Sequence, residues 1–308
     1  MILVGGENLI DFIESADGRF TANLGGGPYN IAKALARQGQ DVGYLTPVST
    51  DQMGDRLAAE LMADGVHLLA PRSKAPTSLA LVSLQNGQPS YQFYRQKTAE
   101  RRVTTTMLNR IAPKQAKAFQ LGSLALTSGK DADVWAQMYR ALHKRGLFTS
   151  LDPNIRPDFI KNRRKYMARL AWVLAKTDLL KLSDEDLAWL DAKRPLKAAA
   201  THLRHTYNIP LLVLTMGADG AMAFTESGNF KIPAPKANPF KDAVGAGDTF
   251  MGTLLAQLSM SGLLNHKALI AAAEFQLRPI LDMAAKAAAM NCETSGCNPP
   301  THAALHAR

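Results

Sequence analysis

Residues 240–252 read FKDAVGAGDTFMG and set three small residues and a carboxylate, Gly245, Ala246, Gly247 and Asp248, at the mouth of a helical run. Phe250, Leu254, Leu255 and Leu258 follow as an i, i+4, i+5, i+8 apolar stripe, which puts Asp248 in or near the first turn. First-turn peptide N–H groups have no intrahelical partner and point outward, where they suit an anion. Small side chains let a phosphate approach such a backbone closely. A carboxylate beside that anion site could act as the base facing a phosphoryl group in transfer. An ordinary N-cap, with Asp capping and Gly in the loop, accounts for the same spacing, and the spacing leaves both readings open.

Two familiar phosphate motifs fail here. The dinucleotide fingerprint Gly-x-Gly-x-x-Gly meets Phe250 where its last glycine should stand. The P-loop needs Gly-Lys followed by Ser or Thr, and the only such pair, Gly129-Lys130, is followed by Asp131.

These residues need elements to position them. Short apolar runs alternate with helical patterns along the chain: MILVGG, VGYLTPV, AFQLGSLAL, LFTSLDPN, TDLLKLS and PLLVLTMG read as strands. Between them, PYNIAKALARQG, MGDRLAAELMADG, DADVWAQMYRALHKRG, a stretch near 163–175 and DEDLAWLD read as helices, with two long helices near 248–260 and 266–289 to finish. This alternation predicts an α/β fold with a largely parallel sheet and helices on both faces. Two stretches break the pattern. Residues 11–24 carry an Asp17-Gly18 turn, and residues 78–95 carry Asn86-Gly87, both strong hairpin signals. Together the hairpins can form a small sheet over the mouth of an open α/β sheet, where ligands bind at the strands' carboxyl ends. A lid there keeps water from a phosphoryl-transfer site.

Composition narrows the class. With 308 residues, 46% hydrophobic and 20% charged, the chain can bury one large core. No apolar run is long enough to span a membrane, and the N-terminus reads as a strand and not a signal peptide, so the expected location is cytoplasmic, with no membrane partner. A net charge of +10 suits anionic ligands, but the charges are dispersed and no nucleic-acid motif accompanies them; the KNRRK cluster at 161–165 reads as a solvated helix face. Cys292 and Cys297 make neither a disulfide framework nor a zinc site, and His202 with His205, and His302 with His306, read as surface residues.

Two stretches carry a family resemblance. GGGPYNIAKALARQG at 25–39 looks like the N-terminal Gly-Gly signature, and KDAVGAGDTF at 241–250 like the C-terminal signature, of the ribokinase/pfkB family of carbohydrate kinases. GENLIDF at 6–12, YQFYR at 91–95, DPNIRP at 152–157, KLSDEDL at 181–187 and TMGADG at 215–220 extend the resemblance over nearly the whole chain. It implies a single ribokinase-like domain over 1–308, three layers α/β/α around a mainly parallel sheet, with lid segments at about 11–24 and 76–100. It implies that Asp248 is the catalytic base and that Gly245, Ala246 and Gly247 form the anion hole. Asp11, Gly26, Gly27 and Asn30 fall on sugar-gripping positions, and Arg95 and Arg156 where relatives place polar groups near substrate or phosphates. Lys181, Ser183, Asp186, Thr215, Gly217 and Gly220 fall on the nucleotide side. Some members hold a potassium ion beside the anion hole through carbonyl oxygens, and Asp242, Val244 and the 291–300 segment fall there.

The chain also departs from the family pattern. Ala243 stands for the usual Thr of the C-terminal signature, and Asp186 for the Glu of an Asn-x-x-Glu motif linked to magnesium and phosphate, whose Asn is Ser183 here as in fructokinase-like members. The resemblance therefore implies an ATP- and Mg²⁺-dependent kinase, K⁺-activated in some relatives, acting on the terminal hydroxymethyl of a small sugar, with fructose giving fructose 6-phosphate as the expected reaction. Arg95 and Arg156 raise 2-keto-3-deoxygluconate as an alternative substrate, ribokinase-type activity is a second alternative, and an inactive sugar-sensing protein on the same fold is the rival from another class. Pairing of two copies through the lid is the expected assembly.

Overall fold

The computed structural model describes residues 1–308 apart from 16, 86 and 87, and side chains apart from these and those of 83–91. A nine-stranded sheet forms its centre. Its strands are β1 (Ile2–Gly5), β4 (Val42–Tyr44), β5 (His67–Leu68), β8 (Ala118–Gly122), β9 (Phe148–Asp152), β10 (Leu179–Ser183), β11 (Leu211–Thr215), β12 (Ala221–Thr225) and β13 (Gly228–Ile232). The spatial order is β13-β12-β11-β10-β9-β8-β1-β4-β5; the β11–β12 and β12–β13 pairs are antiparallel and the other pairs are parallel. The order reverses between β1 and β8, so the crevice that open α/β sheets use for ligands falls at their carboxyl ends.

Helices cover both faces. On one face Tyr29, Leu35, Leu57, Met251, Leu255 and Leu281 build one core; on the other, Phe119, Trp135, Tyr139, Tyr166 and Leu187 build a second. Runs such as LLVLT in β11 are apolar on both sides because both sides are covered. Local chemistry sets the helix ends. Pro28 sits in the first turn of Gly27–Arg37, and Gly39, at φ +77°, follows its end. Asp51 caps Gln52–Ala63 by accepting from the Gly54 N–H.

The two hairpins form a separate four-stranded sheet, β2 (Leu9–Glu14), β3 (Phe20–Gly25), β6 (Ser78–Gln85) and β7 (Gln88–Tyr94), in the order β3-β2-β6-β7. Each hairpin is antiparallel, and the two join through a parallel β2–β6 pair. The predicted Asn86-Gly87 turn lies outside the described residues.

Several boundaries differ from the sequence reading. AFQLGSLAL stays extended only to Gly122, where a side chain would overlap the Asp152 carbonyl of the adjacent strand; residues 123–126 then form a 3₁₀ turn. The long helix near 266–289 is two, His266–Ala271 and Glu274–Asn291, separated by extended Ala272 and Ala273. β12, β13 and the helices Thr105–Ile111 and Leu196–Tyr207 went unread. Among the described residues no helix is long and apolar enough to cross a membrane, no group of three or more His, Cys, Asp or Glu could hold a metal, and both cysteines are free thiols.

Candidate active site

A cleft of about 630 Å³ opens at the carboxyl ends of the central strands, beneath the small sheet. Ser123, Asn154, Lys181, Ser183 and Thr215, at or just past the ends of β8 to β11, line its floor; Leu9, Asp11, Ile13, Val82 and Phe93 of the small sheet line its roof. Gly26, Gly27 and Asn30 close one side, and Gly245, Gly247 and Asp248 another. Residues 218 apart in sequence therefore meet, and Asn30 Nδ2 donates to Asp248 Oδ2 at 2.8 Å.

Asp248 lies in the first turn of Ala246–Met260 and is buried. Burial pushes its carboxyl up to about 6; the Asn30 hydrogen bond and the Lys181 and Arg156 charges pull the other way. A carboxylate with a pKa near 6 is ionised at neutral pH yet basic enough to take a proton, as a general base must be. Lys181 Nζ pairs with Asp152 Oδ2 at 2.9 Å, and both are buried. Burial works against the lysine's charge, but Asp152, with Asp186 and Asp248 nearby, holds its pKa above the usual value. A fixed cation thus stands beside the candidate base on the cleft wall.

The backbone at the expected anion hole differs in detail from the sequence reading. Gly245 caps the helix at φ +74°, and a side chain there would collide with Cys297. Ala246 N–H donates to the Ala243 carbonyl at 3.2 Å and so is already partnered. The first intrahelical bond closes from Thr249 N to Gly245 O at 2.8 Å, which leaves the N–H groups of Gly247 and Asp248 for an anion. A Cβ at Gly247 would come within 3.0 Å of Lys181 Nζ, so only glycine leaves that approach open.

Among the residues expected to grip the sugar, burial pushes the Asp11 carboxyl up to about 6, against the pull of Arg156. Gly26 sits at φ +111°, and a Cβ on it would lie 2.8 Å from the Glu7 carbonyl. A Cβ on Gly27 would press on Asn154 and Ser123 at 3.3 Å and on Asp248 Oδ1 at 3.4 Å. A side chain at either position would therefore crowd its neighbours, which glycine avoids. Arg156 lines the cleft, but Arg95 does not. Arg95 is buried behind it, with Nε and Nη2 on the two oxygens of Glu100 at 2.9 and 3.1 Å, so its guanidinium is occupied within the protein.

Of the residues expected on the nucleotide side, Lys181, Ser183 and Thr215 line the cleft and Asp186 does not. Both Asp186 oxygens accept from backbone, Oδ1 from Ile155 N at 2.6 Å and Oδ2 from Ser183 N at 3.0 Å, while Ser183 Oγ accepts from Asp186 N. The shorter acid thus serves as a helix capping box, and neighbouring Glu185 faces the cleft in its place. Gly217 and Gly220 also stay out of the cleft. Their positive φ values shape the tight turn from β11 to β12, closed by Met216 N to Gly220 O at 2.8 Å.

Asp242 and Val244 line a neighbouring cavity of about 220 Å³ with Asn30, Gly296 and Cys297. The Asp242 carboxylate accepts from Val244 N at 2.8 Å and Gly296 N at 2.9 Å. Buried Asn291 donates to Val244 O at 2.7 Å and accepts from Asn298 N at 2.8 Å. Side-chain contacts thus knit the two loops together, and each main-chain carbonyl keeps a second lone pair for a cation.

The sequence reading missed Glu7, Ser123, Asn154 and Glu185. Glu7 is an acid in the short loop between β1 and β2 and is buried. That burial pushes its carboxyl up to about 7, against the pull of Arg95. Ser123 and Asn154, at φ +54° and +38°, are strained non-glycine residues at strand ends, a backbone signature with no trace in residue type.

Comparison with known proteins bears on this site. A family model described as pfkB family carbohydrate kinase matches residues 1–304. A fructokinase of Rhizobium leguminosarum bv. trifolii is 36% identical over 288 residues, 90% of this chain and 86% of its own. A fructokinase of Escherichia coli is 28% identical over 298 residues, 96% and 94% of the two chains. The crystal structure of fructokinase with bound ATP from Xylella fastidiosa superposes with a TM-score of 0.89 at 26% identity, covering 99% of this chain and 97% of its own. A fructokinase from Vibrio cholerae O395 in a fructose, ADP and calcium ion bound form gives a TM-score of 0.84 over 99% and 97% of the chains; at 22% identity that likeness speaks for the fold alone.

Proposed function

The chain belongs to the pfkB family of carbohydrate kinases, phosphotransferases acting on a sugar hydroxyl, and on that premise we propose that it transfers the γ-phosphoryl group of ATP to the terminal hydroxymethyl of fructose, giving fructose 6-phosphate. The observation that carries the reading is Asp248: a buried carboxylate on the cleft wall, oriented by Asn30, in the first turn of a helix whose free N–H groups face the same space.

In this mechanism Asp248 takes the proton of the attacking hydroxyl. The new oxygen–phosphorus bond forms as the bond to the β-phosphate breaks, and ADP leaves. The N–H groups of Gly247 and Asp248, with Lys181, stabilise the charge spread over the transferred oxygens. Magnesium, when bound with ATP, neutralises the β- and γ-phosphates. Glu185, an exposed carboxylate that lines the cleft with Ser183 and Thr215, would hold it. The carbonyls around Asp242 and Val244 would hold potassium. Asp11, Asn30 and the paired glycines grip the sugar. A cytoplasmic location, and pairing of two copies through the lid, where Phe20 and Tyr94 are exposed, complete the reading.

A neutral sugar fits this cleft better than a sugar acid. Three of its carboxylates, Glu7, Asp11 and Asp248, line the cleft, and of the two arginines that could serve a substrate carboxylate Arg95 is bound to Glu100, which leaves Arg156 as the one cleft cation of that pair. A coupled assay of ADP release with fructose, ribose and 2-keto-3-deoxygluconate tests the reading. The expected order puts fructose first. Should kcat/KM for 2-keto-3-deoxygluconate exceed that for fructose by about tenfold, roughly 1.4 kcal/mol of transition-state preference, the sugar-acid reading replaces it.

A further inference from the structure

Lys181 and Asp152 stand side by side on neighbouring parallel strands. The β9–β10 register runs Ser150↔Leu179 and Leu151↔Leu180, so the next pair along it is Asp152 and Lys181, at the strands' carboxyl ends. On the other side of β9, Asp152 is in register with Gly122, where a Cβ would overlap the Asp152 carbonyl, so its main chain is tightly held. The two side chains differ in access. Lys181 keeps 7% of its side chain exposed and lines the cleft, whereas Asp152 keeps 2% and does not. Of the two, only the lysine can meet a ligand.

Stability gives little reason for such a pair. Two buried charges are costly to desolvate, and an apolar pair of similar volume often serves a fold as well or better. What the pair does supply is a position for the ammonium. A Cβ on Gly247 would come within 3.0 Å of Lys181 Nζ, so the ammonium lies beside the free N–H groups at the start of Ala246–Met260. Of its three donors Asp152 takes one, at 2.9 Å, which leaves two. Asp248 is the second acid within range, and its charge acts on Lys181. Yet among the described residues the lysine's one ion pair is with Asp152. An ammonium bonded to Asp248 would neutralise the base and turn away from a phosphoryl group. Two carboxylates thus compete for one cation, and the one shut off from the cleft holds it.

We propose that Asp152 is a positioning residue for phosphoryl transfer: acting through Lys181, it pins the ammonium beside Gly247, where it meets the transferred group, and keeps it off the Asp248 base. The other groups facing this cluster do not take that role. Asp186, from the helix after β10, has both oxygens on backbone N–H groups. Arg156, from the loop after β9, is a cation, as is Lys181, and Asn30 is bonded to Asp248. Cys297, which also faces Asp248, has its thiol pushed up to about 12 by burial and stays neutral. This proposal deepens the phosphoryl-transfer reading and rests on it.

The test is a double-mutant cycle of Asp152→Asn and Lys181→Met, assayed by ADP release with fructose from about pH 5 to about pH 9. Asp152→Asn should lower kcat about ten- to a hundredfold, with the KM for fructose within about threefold of wild type, because the ammonium is misplaced and the sugar is not. The acid limb of kcat, set by Asp248, should move down by about one pH unit, since Lys181 is free to pair with the base and the Asp152 charge that raises it is gone. In the Lys181→Met background the Asn substitution should cost less than about threefold more, because the carboxylate then has no ammonium to place. Additive losses, a loss carried by the KM for fructose, or an unmoved acid limb overturns the proposal. Should Asp152→Asn not fold, Asp152→Glu, which keeps the charge and shifts it by one methylene, takes its place in the cycle, where kcat and additivity are read the same way. A wild type active on another sugar but not on fructose refutes the fructose reading alone, and the cycle is then read on that sugar. No turnover on any sugar refutes phosphoryl transfer itself, and the role of Asp152 with it.

Discussion

Replacing Asp248 by Asn should make the protein more stable as it stops the chemistry. Base catalysis contributes about 10²–10⁴, so kcat should fall at least about a hundredfold. Stability moves the other way because the folded protein holds this carboxyl at about 6 against an ordinary 3.8, chiefly through burial. A folded pKa above the unfolded one means that the native state binds the proton more tightly. Stability is then full below the unfolded value and is lost as pH rises through the folded one. A difference of about two units corresponds to about 3 kcal/mol at neutral pH. Asn carries no charge to desolvate but makes a weaker bond to Asn30, so a net gain of about 1–3 kcal/mol is expected, seen as a melting temperature several degrees higher. Urea unfolding of both proteins at pH 8, 6 and 4 checks this. The gap should be widest at pH 8 and close by pH 4, where both forms are neutral. Glu7 and Asp11, also raised by burial, are present in both proteins and cancel. A gap independent of pH, or a wild type more stable at pH 8, would refute the picture of a buried, destabilising base.

Gly245→Val should lower turnover at saturation more than fructose affinity, and should lower the melting temperature too, since the side chain must displace Cys297 at a positive φ; reduced affinity with normal turnover would remove the anion-hole assignment. Arg95→Met leaves Glu100 buried without its partner and should cost about 3–5 kcal/mol in urea unfolding. Its KM for fructose should change little, and a large rise in a folded variant would return Arg95 to the sugar site. Chelation with EDTA should abolish activity and Mg²⁺ restore it, with K⁺ supporting more turnover than Na⁺; full activity in EDTA contradicts the mechanism, whereas indifference to K⁺ removes only the cation site at Asp242 and Val244.

The parallel sheet, its helices and the lid hairpins were legible because each is written in a local pattern: apolar runs, a helical stripe, Asp-Gly between alternating segments. The place of Asp248 and its glycines at a helix start was legible from the apolar stripe that follows them, whereas their role was not, because an N-cap fits the same spacing. What escaped depends on long-range packing. Nothing in the type of Arg95 tells that Glu100 claims it, and nothing in KLSDEDL tells that Asp186 turns back onto Ser183 and Ile155 while Glu185 faces the cleft. The break at Ala272 and Ala273 falls in an alanine-rich stretch whose propensity favours helix throughout. β12 and β13 were passed over because five-residue strands closed by short turns leave little periodicity to count.

The lid strands enter and leave the cleft through the residues assigned to the sugar. β2 starts at Leu9, just past Glu7, and β3 ends at Gly25, against Gly26 at φ +111°. The second hairpin joins the first along the parallel register from Leu9↔Ser78 to Ile13↔Val82. In mechanical terms the four strands form one plate joined to the large domain at Glu7–Asn8 and Gly25–Gly26, the residues that flank Asp11 and Gly26. Were the plate to tilt about these joins, Asp11 would turn with it, and lid position and the proposed sugar site would be coupled.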